Sequence, residues 1–249
     1  MVVPETTILT CSYNTPDITL TMLKSFVSVH GDGPHKILIS ENSNNEDTSK
    51  LLDENGVKYI RNPGSAHSQS IDALFKACTT RFALMVDTDI IFTQSINKLA
   101  DVIKQNNAAI LGSIQYSRGG YLLHNRIDPC FCLIDLDLIK QNEIKFHDQK
   151  RIDESKSNDF YKNIPINYAI KNTIPYYDVG STFYEDILKN KLMVVSAKQI
   201  DKYYKHYEGC SWRIGCGNKW LNDLGHKIWL EYQETIKKYE NVCIKNKFI

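Results

Sequence analysis

The feature that most constrains the fold is a short apolar run that ends in two aspartates. Residues 82–86 read Phe-Ala-Leu-Met-Val, Asp87-Thr88-Asp89 follow, and the chain then turns apolar again. An apolar run of this length after a helical pattern is typical of a buried strand in an α/β sheet. Such sheets bind ligands at the carboxyl ends of their strands. Asp87 and Asp89 can share one hard cation, and the cation can neutralise a diphosphate, although the triplet alone fits an Asx-turn equally well.

Strands and helices alternate through the first hundred residues. The β-rich runs at 6–14, 36–40 and 57–60 each lead through polar turn residues into a helical pattern. This order predicts right-handed crossovers and a mostly parallel sheet with helices on both faces. The loops at the strand ends then meet at one crevice, and they hold Ser12 to Asn14, Glu41 to Asn45, Pro63 to His67, and Asp87 to Asp89. Four polar strand ends at one edge favour a nucleotide-type site.

Composition narrows the class of protein. The 249 residues suffice for one large α/β domain, and a net charge of +1 gives no global field to attract nucleic acid. No apolar run reaches spanning length, and the amino terminus lacks a signal-peptide pattern. We expect a single domain over residues 1–249 that is cytoplasmic, soluble or peripheral to a membrane, and binds no nucleic acid. The seven cysteines include no CxxC pair, which predicts reduced thiols, mostly buried.

The order of the motifs resembles the family 2 glycosyltransferases of GT-A fold. The resemblance is carried by Thr10 to Asn14, Glu41 to Ser43, Asn62 to Gly64, Asp72, and Asp87 to Asp89. It implies a Rossmann-like three-layer α/β/α fold with a mostly parallel central sheet. Residues 1–105 would bind a nucleotide-diphosphate sugar, with a UDP-sugar favoured. Residues 106–249 would bind the acceptor, a hydroxyl of a glycan, glycolipid or glycoprotein, and transfer would proceed with inversion.

The same resemblance implies which residues bind the donor. Ser12, Tyr13 and Asn14 would lie along the base and ribose. Glu41 would replace the carboxylate that reads the base, where the family usually has aspartate. The remaining expected donor contacts are Asn62, His67, Asp72, Asp87 and Thr88. Asp87 and Asp89 would form the Asp-x-Asp motif that binds Mn²⁺ or Mg²⁺.

Two stretches of the second half carry candidate chemistry. Asp178 precedes a turn glycine, and an acidic residue from this region deprotonates the acceptor in inverting members of the family. Asp186 is the second candidate base, although it also fits a solvated helix start. His206 stands among aromatic residues, where a histidine is more often a hydrogen-bonded core residue. Because several GT-A enzymes complete the metal site with a late histidine, the resemblance identifies His206 as the third ligand.

Other features of the second half are less specific. Residues 148–163 are polar with little periodicity, which predicts a surface loop. A helical pattern from Trp220 to Tyr232 predicts an amphipathic helix that packs on the domain and can make weak contact with a membrane surface.

Three other classes of protein share parts of this pattern. Phosphatases of the haloacid dehalogenase type use Asp-x-Asp, but on their opening strand, whereas three strands precede it here. Sugar-1-phosphate nucleotidyltransferases have a glycine-rich loop after the first strand, where this chain has Ser12-Tyr13-Asn14. A catalytically silent sugar-binding protein stays open as a third alternative.

Overall fold

The structure is a computed structural model that describes residues 6–31, 35–118, 121–156, 177, 179–196, 198–210, 219–245 and 247–248. The first half alternates strand and helix, as predicted. Its strands are β1 (Thr6–Ser12), β2 (Lys36–Glu41), β3 (Tyr59–Arg61) and β4 (Phe82–Val86). Its helices are α1 (Pro16–His30), α2 (Asp47–Glu54) and α3 (His67–Ala77). The strands pair in parallel, β1 with both β2 and β4, and β2 with β3.

The chain after β4 adds strands of both directions. Its strands are β5 (Ile90–Phe92), β6 (Ala108–Arg118), β7 (Tyr121–Asp135), β8 (Met193–Ser196) and β9 (Tyr204–His206). Its helices are α4 (Leu99–Asn106), α5 (Leu136–Gln141), α6 (Gln149–Lys156), α7 (Ser181–Lys189), α8 (Lys219–Tyr239) and the 3₁₀ helix Lys198–Tyr203. In the described part of the chain, no helix is both long and apolar enough to cross a membrane.

One seven-stranded sheet joins the two halves in the order β3-β2-β1-β4-β7-β6-β8. Strand β7 runs antiparallel to both neighbours, and β8 is parallel to β6. Side chains of β4 alternate between two buried apolar clusters: Leu84 belongs to one, and Ala83 and Met85 to the other. Because successive side chains of a strand point to opposite faces, both faces of the sheet are covered. The predicted three-layer α/β/α architecture with a mostly parallel sheet is confirmed.

The structure corrects two details of the sequence prediction. Residues 149–156 form helix α6 rather than part of the predicted loop 148–163, and residues 157–163 lie outside the described residues. The apolar run from Cys130 to Ile134 predicts a short strand, but β7 already begins at Tyr121. Arg126 and Asp128 interrupt the apolar pattern without interrupting the strand. The six described cysteines are free thiols, five of them buried, as predicted.

Candidate functional site

Two aspartates and one histidine meet at the carboxyl end of β4. Nε2 of His206 lies 3.2 Å from Oδ1 of Asp89 and 4.0 Å from Oδ2 of Asp87. One ligand atom from each of these side chains lies within 4.8 Å of the other two. Ligands at about 2.2 Å from an octahedral cation lie roughly 3–4.5 Å apart, so this donor set fits one divalent ion. Carboxylate oxygens and an imidazole nitrogen are both common ligands of divalent metal ions in proteins.

A small second sheet brings His206 to Asp89. Strand β9 pairs antiparallel with β5, and His206 stands opposite Ile90. The backbone N–H of Tyr207 donates to the carbonyl of Asp89 at 2.9 Å. Because β5 follows Asp89 directly, this ladder fixes the distance between two side chains that are far apart in sequence.

The carboxy-terminal helix holds the end of β9 in place. The hydroxyl of Tyr207 hydrogen bonds with that of Thr235 on α8 at 2.7 Å, and its ring packs edge-on against Tyr232. Tyr232 is fully buried, and its hydroxyl donates to the carbonyl of Ile18 in α1 at 3.3 Å. Contacts with α8, which itself packs on α1, thus hold the segment that carries His206 in place.

The charged groups around Asp87, Asp89 and His206 shift one another's pKa values. Burial, together with the nearby carboxylate of Asp89, raises the pKa of Asp87 to about 7. Burial alone would lower the pKa of His206, but the hydrogen bond to Asp89 and the surrounding carboxylates raise it above its ordinary value. Both pKa shifts show that several carboxylates lie close together at this site, and a divalent cation would offset their negative charge.

These residues line a cavity of about 470 Å³. Six of the predicted site residues contribute to its lining: Tyr13, His67, Asp87, Thr88, Asp89 and His206. Burial lowers the pKa of His67 despite the charge of Asp89, and Nε2 of His67 lies 3.7 Å from Oδ1 of Asp87. Tyr13 is 51% exposed, so its ring is available for contact at the cavity.

Glu41 is fully buried and bonded on both carboxylate oxygens. Oε1 accepts the backbone N–H of Ser43 at 2.8 Å, and Oε2 pairs with Nη1 of Arg61. Arg61 also donates to the carbonyls of Ser43 and Asn45 at 2.6 and 2.8 Å. The pair therefore ties the loop after β2 to β3, and Glu41 lies outside the set of described residues that line the cavity.

Three further predicted donor contacts form hydrogen bonds with residues of α1, of β2 and of the loop after β2. The hydroxyls of Ser12 and Thr19 are 2.8 Å apart, and Nδ2 of Asn62 donates to the Ser40 hydroxyl at 3.0 Å. Asn14 has a positive φ of 53°, and its backbone N–H donates to the hydroxyl of Ser43 at 2.8 Å. Among the described residues, these three side chains lie outside the cavity lining, and their donor contacts stay predictions.

The remaining predicted site residues are Asp72, Asp178 and Asp186. Asp72 accepts the backbone N–H groups of Phe146 and His147 at 2.7 and 3.2 Å, and among the described residues it is not part of the cavity lining. Both carboxylate oxygens of Asp186 accept from Nη2 of Arg151, at 2.8 and 3.0 Å. Asp178 lies outside the described residues, so its role as a base stays a prediction.

The cavity also contains polar residues that sequence reasoning missed, namely Gln115, Arg126, Asp128 and Glu208. Arg126 and Asp128 are spaced i and i+2 on β7, which places both on one face of the strand. That spacing, just ahead of an apolar run, was the available signal in the sequence.

Comparisons with known proteins identify the family and the fold. The sequence matches the model of glycosyl transferase family 2 over residues 7–170. No curated protein sequence matches the chain. Among solved structures, S. aureus TarS 1–349 with UDP-GlcNAc superposes with a TM-score of 0.51 at 13% identity, over 92% of this chain and 72% of that one. The mannosyltransferase PcManGT from Pyrobaculum calidifontis, with GDP-Man and Mn²⁺, gives 0.53 at 10% identity, over 96% and 74%.

The chain is shorter than these relatives. A longer TarS chain superposes with a TM-score of 0.50 at 12% identity over 92% of this chain, which spans only 43% of that TarS chain. The structural likeness at such low identity shows the fold, whereas the family match covers more than half of the chain. This protein therefore belongs to glycosyl transferase family 2 and has the GT-A fold.

Proposed function

We propose that the protein is a metal-dependent glycosyltransferase that moves a sugar from a nucleoside diphosphate to an acceptor hydroxyl. The observation that carries this proposal is the convergence of Asp87, Asp89 and His206 in the cavity at the end of β4. A bound Mn²⁺ or Mg²⁺ would stabilise the negative charge that develops on the diphosphate leaving group. The structures of TarS with UDP-GlcNAc and of PcManGT with GDP-Man and Mn²⁺ support a nucleotide sugar and a divalent metal in general. We favour a UDP-sugar as the donor.

Different residues of this chain would then bind the cation, the phosphates and the base of the donor. Asp87, Asp89 and His206 hold the cation, and His67 lies beside Asp87 where it can contact a phosphate oxygen. Tyr13 offers an exposed ring for the base, and Nδ2 of Asn44 donates to its hydroxyl at 3.3 Å.

For the acceptor we retain Asp178 as the proposed base in an inverting reaction. The residue after it, Val179, lines the cavity. Asp186 is the weaker candidate because its carboxylate is bonded to Arg151. A base must lie within hydrogen-bond reach of the hydroxyl that it deprotonates. The acceptor would be a glycan, glycolipid or glycoprotein.

We further propose that residues 1–249 act as a single domain, with residues 1–105 binding the donor and residues 106–249 binding the acceptor. The pairing of β4 with β7 supports this, because it joins the two halves in one sheet.

Replacement of Asp89 tests the function. Asp89→Ala removes a metal ligand, so the release of nucleoside diphosphate from nucleotide sugars with Mn²⁺ should fall by about 100-fold or more. The matched control is Asp101→Ala, which removes an exposed carboxylate on α4 and should leave turnover unchanged. Melting curves of both variants check the fold.

The products of the wild-type protein distinguish the other classes. A glycosyltransferase releases nucleoside diphosphate, a phosphatase releases phosphate, and a nucleotidyltransferase consumes or releases pyrophosphate. Unchanged turnover in Asp89→Ala would refute the proposed function.

A further inference from the structure

A chain of three polar side chains forms one wall of the cavity that holds Asp87, Asp89 and His206. Gln115 on β6 stands directly opposite Arg126 on β7, and Asp128 lies two residues further along β7. All three line the cavity. A guanidinium, an amide and a carboxylate thus lie side by side where the ladder between β6 and β7 changes register on both sides of Gln115.

The hydrogen bonds of this wall lead from Arg126 through Gln115 to Asp128. Nε and Nη2 of Arg126 donate to Oε1 of Gln115 at 2.8 and 2.6 Å, and Nη1 donates to the carbonyl of Val179 at 3.2 Å. Since a guanidinium has only donors, the amide oxygen of Gln115 must face Arg126. Its amide nitrogen then donates to Oδ2 of Asp128 at 2.5 Å.

Asp128 is therefore fixed in orientation before any ligand arrives. Its second oxygen, Oδ1, accepts the backbone N–H of Cys130 at 3.1 Å. Each carboxylate oxygen can accept a further hydrogen bond, and Asp128 is only half-buried at the cavity. Pre-oriented acceptors of this kind bind ligand hydroxyls with little loss of side-chain entropy.

We propose that Asp128 binds hydroxyl groups of the sugar carried by the donor, and that this wall selects neutral sugars over uronic acids. The inference rests on the proposed function and specifies its substrate class. A carboxylate accepts hydrogen bonds from sugar hydroxyls but repels a sugar carboxylate. Glu208, which lines the same cavity and is not one of the proposed metal ligands, adds to that repulsion. The guanidinium of Arg126, which could attract a uronate, is 7% exposed and bonded to Gln115 and Val179.

The Asp128→Asn variant tests the inference, with the exposed Asp101→Asn as a control for the loss of one charge. The first measurement is calorimetric binding of UDP and GDP with Mn²⁺, which identifies the nucleotide. The second is hydrolysis of the matching sugars, either UDP-glucose, UDP-GlcNAc and UDP-glucuronate or GDP-mannose and GDP-mannuronate. In Asp128→Asn, kcat/KM for the best neutral donor should fall about 10- to 100-fold, the range for one hydrogen bond to a charged group.

Binding of the nucleoside diphosphate alone should stay within about twofold of wild type, because it has no sugar to contact Asp128. The preference for the neutral donor over the uronate should shrink by about tenfold once the carboxylate is gone. Gln115→Leu, which removes the donor to Asp128, should shift the same two quantities in the same direction by a smaller factor.

Three outcomes would overturn the inference. One is a wild-type protein that prefers the uronate, and another is an Asp128→Asn variant that hydrolyses the neutral donor like wild type. The third is an equal loss of affinity for diphosphate and nucleotide sugar, which indicates a structural role. If the wild-type protein turns over no nucleotide sugar at all, the proposed function itself fails, and the inference fails with it.

Discussion

Polar side chains at the edge of the sheet are used in two different ways. Around the ends of β1, β2 and β3 they bond to one another, as in the pair of Glu41 with Arg61 and the contact of Ser12 with Thr19. Around the ends of β4 and β9 and in the middle of β7 they line a cavity, as Asp87, His206 and Asp128 do. The first region forms a framework and the second a binding surface, to which Tyr13 just after β1 also contributes.

The two regions differ in how the desolvation of their charges is offset. A buried carboxylate is tolerated only when partners replace the water that it has lost. Glu41 has such partners in Ser43 and Arg61 and gains little from a ligand. Asp87 has another carboxylate as a close neighbour, which raises its pKa, so it gains strongly from a cation. The electrostatics of each region therefore indicate which one binds the ligand.

The largest expected effect tests the framework. Glu41→Gln leaves Arg61 without its carboxylate, so the free energy of unfolding in urea should fall by about 2–4 kcal/mol. Affinity for UDP, CDP and GDP should fall by one common factor, because the loop moves as a unit. The control is Glu46→Gln, which breaks an exposed pair with Lys50 and should cost about 0.5 kcal/mol or less. A Glu41→Gln variant that keeps its stability but changes its preference among the bases would show that Glu41 reads the base.

The next effect tests the binding surface. His206→Ala removes the imidazole from the cluster, so the Mn²⁺-dependent affinity for nucleoside diphosphate should fall about 10- to 100-fold. The loss should be steepest at low Mn²⁺, while the melting temperature of the ligand-free protein changes little. His226→Ala on the exposed side of α8 is the matched control. A metal-bound structure in which the His206 ring lies well beyond about 2.0–2.5 Å from the ion would contradict the assignment.

How much of the structure can be predicted from the sequence depends on how far apart in the sequence the interacting residues are. The alternation of β1 to β4 with helices follows from local periodicity, and it was predicted correctly. The approach of His206 to Asp89 has no local signal, because the β5–β9 ladder and helix α8 create it. The resemblance to a family suggested that approach, whereas nothing in the sequence pairs Glu41 with Arg61. Asp128 was missed because the charged residues of β7 interrupt the apolar pattern from which that strand would be predicted.

The smallest expected effect concerns a polar residue outside both regions, His30 at the end of α1. Its Nδ1 donates to the carbonyl of Phe26 and its Nε2 accepts the backbone N–H of Ile96, both at 2.9 Å. The ring also stacks on Phe26 with centroids 3.8 Å apart. Because Nε2 must accept, the structure holds the neutral imidazole.

Burial is the main cause that lowers the pKa of His30 from 6.5 to about 4, and the nearby His35 adds to it against the opposing effect of the Phe26 carbonyl. The unfolded chain therefore binds a proton first as pH falls, so stability should decline between about pH 6.5 and 4 and level off below. For a half-buried ring we expect a loss on the order of 1–2 kcal/mol. Urea unfolding at pH 7 and pH 5 measures it, and His30→Gln, which cannot titrate, should lose less over this interval than wild type or the exposed His226→Gln. Equal losses in all three proteins would mean that His30 is not held neutral by the fold, and that the end of α1 is looser than the hydrogen bonds of His30 indicate.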